Sequence, residues 1–324
     1  MPYRNLFDVF FKKSDFIINL NYTVAASFFP KLVPYLALPF LTSMLTTDEM
    51  GILGYLASIL SIITIFIGFQ PQNFFNVKWS LLNNNEKTIY LKSYLLICFI
   101  AFLVFFISFI FAREYGFFKT STIFNLKIFL MLLCIGFSIS FINLHHIIMQ
   151  YENKMHRILF LNSLNILLHY AIGLSLIFYI NPNWQFMFYG QFAASVFSVF
   201  FLIYSIKKFI SFRNSQFSFV FFKKYLNFSY PLVFHGLGLV LMVSVDRIMI
   251  AEFLGLAELG IYSVAYMFGY IIGIFHDALS RIWSPYFYKT INKNTKEDFH
   301  DIKIKTFLYV ISAFIVYYIF SLVA

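Results

Sequence analysis

The sequence predicts an all-α, polytopic membrane protein of about nine transmembrane helices. Three observations predict it. Hydrophobic residues make up 60% of the 324 positions and charged residues only 12%, far from the usage of a water-soluble domain. The apolar residues gather into nine stretches, each near the ~20 residues that a helix needs to cross a bilayer. The basic residues between the stretches fall almost entirely on alternate sides.

The expected spans are 16–41, 50–69, 91–112, 124–148, 158–180, 184–206, 226–251, 259–283 and 307–324. The first follows Arg4, Lys12 and Lys13. It is too long and too rich in proline for a signal-peptide core, so it is expected to stay as an anchor. The second follows a turn at 46–49, the sixth a turn at 181–183, and the eighth a turn at 252–258. The longest connection on that same side, 113–123, has no room for a domain. The opposite side carries the charge, with Lys78, Lys87 and Lys92 before the third span and Lys154 and Arg157 before the fifth. Lys207, Lys208, Arg213, Lys223 and Lys224 precede the seventh. Arg281, Lys289, Lys293, Lys296, Lys303 and Lys305 lie between the eighth and ninth. The sparse side holds only Arg113, Lys119 and Lys127. Basic loops stay in the cytoplasm, so the N-terminus is expected inside.

The net charge of +10 is therefore the charge of cytoplasmic loops lying against anionic headgroups. It does not point to a nucleic-acid partner. Cys98 and Cys134 both fall inside spans and mark neither a disulfide framework nor a metal site. In the stretch 207–227, Phe221, Phe222, Tyr225 and Leu226 alternate with Lys223 and Lys224. That pattern suits a short amphipathic helix on the inner leaflet. The expected organisation is a six-helix lobe at 1–206, this cytoplasmic linker at 207–227, and a partial second lobe of three helices at 228–324.

A weak repeat supports two lobes. Leu45-Thr-Thr-Asp-Glu49-Met-Gly51-Ile52 can be laid on Leu254-Gly-Leu-Ala-Glu258-Leu-Gly260-Ile261, an offset of 209 positions from Glu49 to Glu258. Six spans separate the copies, so they share one orientation. That is the parallel-repeat arrangement, with its axis along the membrane normal and a substrate path between lobes.

Several segments together resemble the polysaccharide flippases of the multidrug/oligosaccharidyl-lipid/polysaccharide exporter superfamily. They are Lys224-Tyr-Leu-Asn-Phe-Ser-Tyr-Pro231, Asp246-Arg247-Ile-Met-Ile, the run from Phe253 through Gly260 and Tyr262 to Tyr266, and Ser284-Pro285. In the first lobe, Leu38-Pro39, Thr47-Asp48-Glu49-Met50-Gly51 and Gln150-Tyr-Glu-Asn-Lys154 fit the same pattern. The resemblance implies a V-shaped, two-lobed transporter of lipid-linked oligosaccharide that works by alternating access. That family has about a dozen or more helices, so the chain is expected to be truncated at its C-terminal end or completed by another polypeptide or a partner copy.

Lys31 is the most informative residue. It sits near the middle of the first span between Pro30 and Pro34, with Pro39 beyond. A lysine there costs at least about 2.5–3.5 kcal/mol on insertion scales, so it should face a wet cavity. It is the expected cationic contact for a diphosphate or an acidic sugar, with a structural ion pair or a snorkelling stem as the plainer reading. Asp246 and Arg247, near the far end of the seventh span, are expected to line the same path, with Asp246 paired to Arg247 or to Lys31. His235 in the seventh span, and His276 with Asp277 in the eighth, are candidates for proton coupling. A buried histidine satisfied by a carbonyl is the commoner case. His145 and His146 are adjacent and point apart, so they do not make a metal pair.

There is no phosphate loop, Asp-x-Asp pair or nucleophile elbow with partners, so neither an enzyme nor an ATP-driven pump is expected. No cofactor or metal is expected either. The predicted function is a flippase in the bacterial inner membrane, carrying an undecaprenyl-diphosphate-linked oligosaccharide to the outer leaflet. Its partners would be that lipid-linked oligosaccharide, membrane lipids and polysaccharide-assembly proteins. The alternatives are a drug/cation antiporter of the same superfamily and a membrane-embedded polysaccharide polymerase or glycosyltransferase. The short outer loops weigh against the last.

Overall fold

A computed structural model describes residues 14–79, 81–115, 123, 125–152, 154–207 and 217–270, with single positions beyond (273, 280, 283, 287, 288, 303, 306, 307, 310, 311, 314 and 318). Nine helices and no strand lie in the continuous part. They are α1 Ser14–Met44, α2 Thr47–Gly68, α3 Pro71–Lys78, α4 Asn84–Glu114 and α5 Leu126–Tyr151, followed by α6 Met155–Tyr179, α7 Trp184–Lys207, α8 Phe219–Phe253 and α9 Leu256–Gly269. Among the described residues, six helices are long and apolar enough to cross a membrane: α2, α4, α5, α6, α7 and α8. The chain is an all-α, multi-pass membrane protein. α1, at 31 residues, also has the length to cross and contains Pro30, Pro34 and Pro39. Most of the ninth expected span, the linker between 208 and 216, and most of 271–283 lie outside the described residues.

The helix ends are written in local chemistry. Thr46 caps α2 in a reciprocal box: its hydroxyl accepts from the Glu49 N–H, and Glu49 Oε2 accepts from the Thr46 N–H at 3.0 Å. Asn83 and Glu86 do the same for α4, and Asn125 caps α5 through the Ile128 N–H at 2.9 Å. Each box satisfies two of the donors that a helix start leaves open. The α1–α2 turn is therefore only two residues, tighter than the 46–49 connection expected. At the other end of α2 the chain breaks in two successive left-handed residues, Phe69 (φ 47°) and Gln70 (φ 52°), a conformation uncommon outside glycine. Pro71 then opens α3 at a position where its missing N–H costs nothing. This short helix has no counterpart in the hydropathy pattern.

The core explains a second departure from expectation. In the basic aromatic stretch before the seventh span, the described residues do not form a separate amphipathic helix. Its residues from Phe219 are the first turns of α8, which runs unbroken for 35 residues to Phe253 despite Pro231. Tyr225 is fully buried there. Its ring meets Phe74 at 4.8 Å and Tyr94 at 6.2 Å, and its hydroxyl donates to the Phe69 carbonyl at 3.4 Å. Phe74 also packs on Tyr90 at 4.8 Å and Phe228 at 5.3 Å. Aromatic burial of this size outweighs the interfacial alternative. It clamps α8 to α3 and α4, while Lys223 and Lys224 remain exposed.

α2 and α9 cross at the end of the bundle that carries the Leu45–Thr46 and Leu254–Gly255 turns. A Cβ on Gly51 would lie 1.9 Å from the Leu256 carbonyl oxygen, and one on Gly260 would lie 2.0 Å from that of Thr47. The two contacts are reciprocal under the 209-residue offset, so the repeat copies pack on one another about a local two-fold axis. Only glycine admits backbones this close. Gly255, at φ +103°, makes the tight turn from α8 into α9.

Candidate functional site

α9 and its C-cap carry a tyrosine every four residues, Tyr262, Tyr266 and Tyr270. Four residues make slightly more than one turn and rise about 6 Å, so the three rings share a face. The ring centroids stand 6.0 and 6.4 Å apart, with interplanar angles of 41° and 18°. This face gathers all three of the substrate residues expected from the sequence. Asp246 of α8 meets the first tyrosine, whose hydroxyl donates to Oδ2, while Oδ1 accepts from the Arg247 N–H at 2.8 Å. The Arg247 guanidinium lies over the Tyr266 ring at 4.4 Å, and its buried Nε has no hydrogen-bond partner among the described residues. Lys31 of α1 lies over the Tyr270 ring at 4.9 Å.

One turn beyond Lys31 on α1, Tyr35 closes the site. Its hydroxyl donates to the Met267 carbonyl and its ring meets Phe268 edge-on at 6.2 Å. Arg247 lies about 9 Å along α8 from the Phe253 end, and Lys31 about 20 Å along α1 from the Met44 end. The face therefore runs from near one membrane surface to about mid-depth, and among the described residues its three charges each meet a tyrosine ring or hydroxyl.

The expected Asp246 ion pair is not formed. The carboxylate is taken by Tyr262 and by its neighbour's backbone N–H, while both cations rest on rings. A cation over a ring is worth about 0.5–2 kcal/mol, and a hydrogen bond to a charged group about 1.5–3 kcal/mol. The tyrosine rings thus orient the two cations. His235 is exposed on α8, about 18 Å along the helix from Arg247, and does not join the cluster. His276 and Asp277 lie outside the described residues. The tyrosines and Tyr35 were absent from the sequence-derived site, although the four-residue spacing in α9 was there to be read.

A second recess lies on the other side of α2. A cavity of about 380 Å³ is bounded by Ala57, Ser61, Thr64 and Gln70, by Asn143 of α5, and by Val240 of α8. Its polar groups are neutral amides and hydroxyls. Ser61 Oγ bridges to Ser244 Oγ of α8 at 3.0 Å on its rim.

The family model described as "Polysaccharide biosynthesis protein" matches residues 17–291. The chain belongs to this family. No protein with a curated description matches it. Among solved structures, an outward-facing multidrug resistance MATE family transporter of the MOP superfamily aligns with a TM-score of 0.61 at 15% identity, over 93% of this chain and 70% of that one. A MATE protein in complex with MaL6 aligns with a TM-score of 0.61 at 14% identity, over 93% and 69%. A MOP superfamily transporter from Pyrococcus furiosus Vc1 (DSM3638), described as having a binding pocket of reversed polarity, aligns with a TM-score of 0.62 at 14% identity, over 93% and 69%. At these identities the likeness is one of fold. The polysaccharide-biosynthesis chain has the MOP transporter fold.

Proposed function

We propose that this protein is a flippase for an undecaprenyl-diphosphate-linked oligosaccharide, carrying it across the bacterial inner membrane for surface polysaccharide assembly. The observation that carries the reading is the convergence of Lys31 and Arg247 on one tyrosine face inside a polysaccharide-biosynthesis chain of transporter fold. Two cations held about 10 Å apart in depth suit a diphosphate head, which accepts several charge-assisted hydrogen bonds, while the lipid tail stays in the bilayer. The lobes 1–206 and 228–324 would exchange access by rocking about the α2–α9 crossing, with the N-terminus and the basic loops cytoplasmic.

The MATE relatives of the fold raise a second reading, a drug/cation antiporter. The charge balance of the site weighs against it, because the one carboxylate there among the described residues, Asp246, is already hydrogen-bonded and the two cations repel a cationic drug.

The test is replacement of the native gene by a Lys31→Ala variant. Surface polysaccharide should be lost while the protein inserts at its normal level. Lys31→Arg should restore part of it, since the charge is kept and only the geometry changes. Normal polysaccharide in the alanine variant would overturn the proposal.

A further inference from the structure

We infer that the Tyr262–Tyr266–Tyr270 face is a sugar-stacking platform, which Arg247 and Lys31 cover at rest and uncover when they turn to an anionic diphosphate. The inference rests on the reading of a diphosphate-linked glycan as substrate. It adds where the first sugars lie and what opens their seat.

The geometry carries it in three steps. First, the rings form a ladder with one ring per helical turn, 6.0 and 6.4 Å apart, a spacing comparable to one sugar unit in an extended chain. A pyranose presents a face of C–H bonds, and such a face packs on the electron-rich face of an aromatic ring. Second, the same ring faces hold the cations, with Arg247 over Tyr266 and Lys31 over Tyr270. A sugar and a cation compete for one face, so the platform is masked until the cations leave. Third, a diphosphate draws them off. Its oxygens offer the guanidinium two parallel bonds and the ammonium a point charge, both stronger than a ring contact in a dry site. The buried Arg247 Nε, which has no partner among the described residues, gains one in that move. The rings are only partly buried, and Tyr270 is 40% exposed, so a sugar can reach them once the cations have turned.

The order of events gives the site a test of its cargo. A bare lipid diphosphate moves the cations and gains nothing from the exposed rings. A glycosylated one moves the cations and then fills the faces they leave. Recognition of the sugar is thus conditional on recognition of the phosphate. The stacking surface tolerates many sugars because every pyranose has a C–H face.

The experiment uses the purified full chain in nanodiscs, with binding measured calorimetrically for two soluble probes, citronellyl diphosphate and citronellyl diphospho-N-acetylglucosamine. The native protein should bind the sugar-bearing probe about tenfold more tightly than the bare one. Tyr266→Leu should erase that gain, bringing the two probes to about equal affinity, because the stacking face is gone. Tyr266→Phe, which keeps the ring, should retain the gain, and this also controls for folding. Arg247→Gln should weaken both probes. A tenfold gain that survives in folded Tyr266→Leu, or an equal loss of both probes in that variant, overturns the platform and leaves the diphosphate reading standing. Failure of the native chain to bind either probe overturns both.

Discussion

The two sides of the α2–α9 crossing occupy matched positions with unmatched chemistry. The 209-residue offset places Leu53, Ala57 and Ser61 of α2 on Tyr262, Tyr266 and Tyr270 of α9, and Val240 and Ser244 of α8 on Lys31 and Tyr35 of α1. On the α2–α8 side the small residues allow a direct Ser61–Ser244 bond of 3.0 Å and leave the cavity of about 380 Å³ beside Ala57. On the α1–α9 side tyrosines fill the equivalent space, and Tyr35 must reach across to the Met267 carbonyl. The frame is shared and the filling is not. Gly51 and Gly260 stay alike because each faces a carbonyl about 2 Å from where a Cβ would sit. A turn or more further in, only volume and polarity are constrained, and there the two copies differ. A charge at mid-membrane is expensive, and the charges lie on the side where rings and hydroxyls receive them.

The comparison can be broken most sharply by topology. If the copies share one orientation, reporters fused after Pro182 and after Gly255 should both read external and one after Asn214 cytoplasmic. A cytoplasmic signal at Gly255 would put the copies on opposite faces and end the two-fold description.

Next in size is the frame itself. Gly51→Val and Gly260→Val should each destabilise by about 3 kcal/mol or more, because overpacking against a backbone carbonyl finds no flexible neighbour to move. The double variant should cost less than the sum, since both substitutions part the same two helices. Thermal unfolding in detergent measures all three. One silent glycine would show that the contact is not reciprocal.

Making the sides alike is a milder perturbation. Tyr266→Ala with Tyr270→Ser writes the α2 residues into α9. Polysaccharide export should fall at least about tenfold while the melting temperature drops by only a few degrees, because these rings are partly exposed. The reverse change, Ala57→Tyr, fills the cavity and should shift stability by less than about 1.5 kcal/mol. A large export defect from Ala57→Tyr would make the cavity part of the path.

Smallest of all should be Ser61→Ala. It removes the Ser244 bridge for about 1 kcal/mol or less, since Ser61 also bonds its own helix at the Ser58 carbonyl at 2.7 Å. Tyr35→Phe should cost slightly more, about 1–1.5 kcal/mol, because it leaves the Met267 carbonyl without its donor from α1.

Chain order and hydropathy determined a good deal here. Seven of the expected spans reappear as α1, α2 and α4 to α8, with α4 and α8 beginning at Asn84 and Phe219, ahead of the expected 91 and 226, because membrane-spanning length is a property of a local stretch and every backbone group is satisfied inside it. The caps at Thr46 and Asn83 were equally local. Lys31 announced itself through its cost alone, and the repeat through residues that glycine geometry holds fixed. Pairing was not legible. Tyr262, Tyr266 and Tyr270 are visible as a spacing, but a tyrosine stripe acquires meaning only when α8 sets Arg247 and α1 sets Lys31 over its rings. Tyr35 meets Met267 across 232 positions. The stretch from Phe219 reads as amphipathic because its lysines and aromatics alternate, and only burial of Tyr225 among Phe74, Phe75 and Tyr94 makes it part of α8. Helices follow from hydrogen bonds closed within a few residues. Which faces meet follows from packing between residues far apart in the chain, and that only the tertiary structure decides.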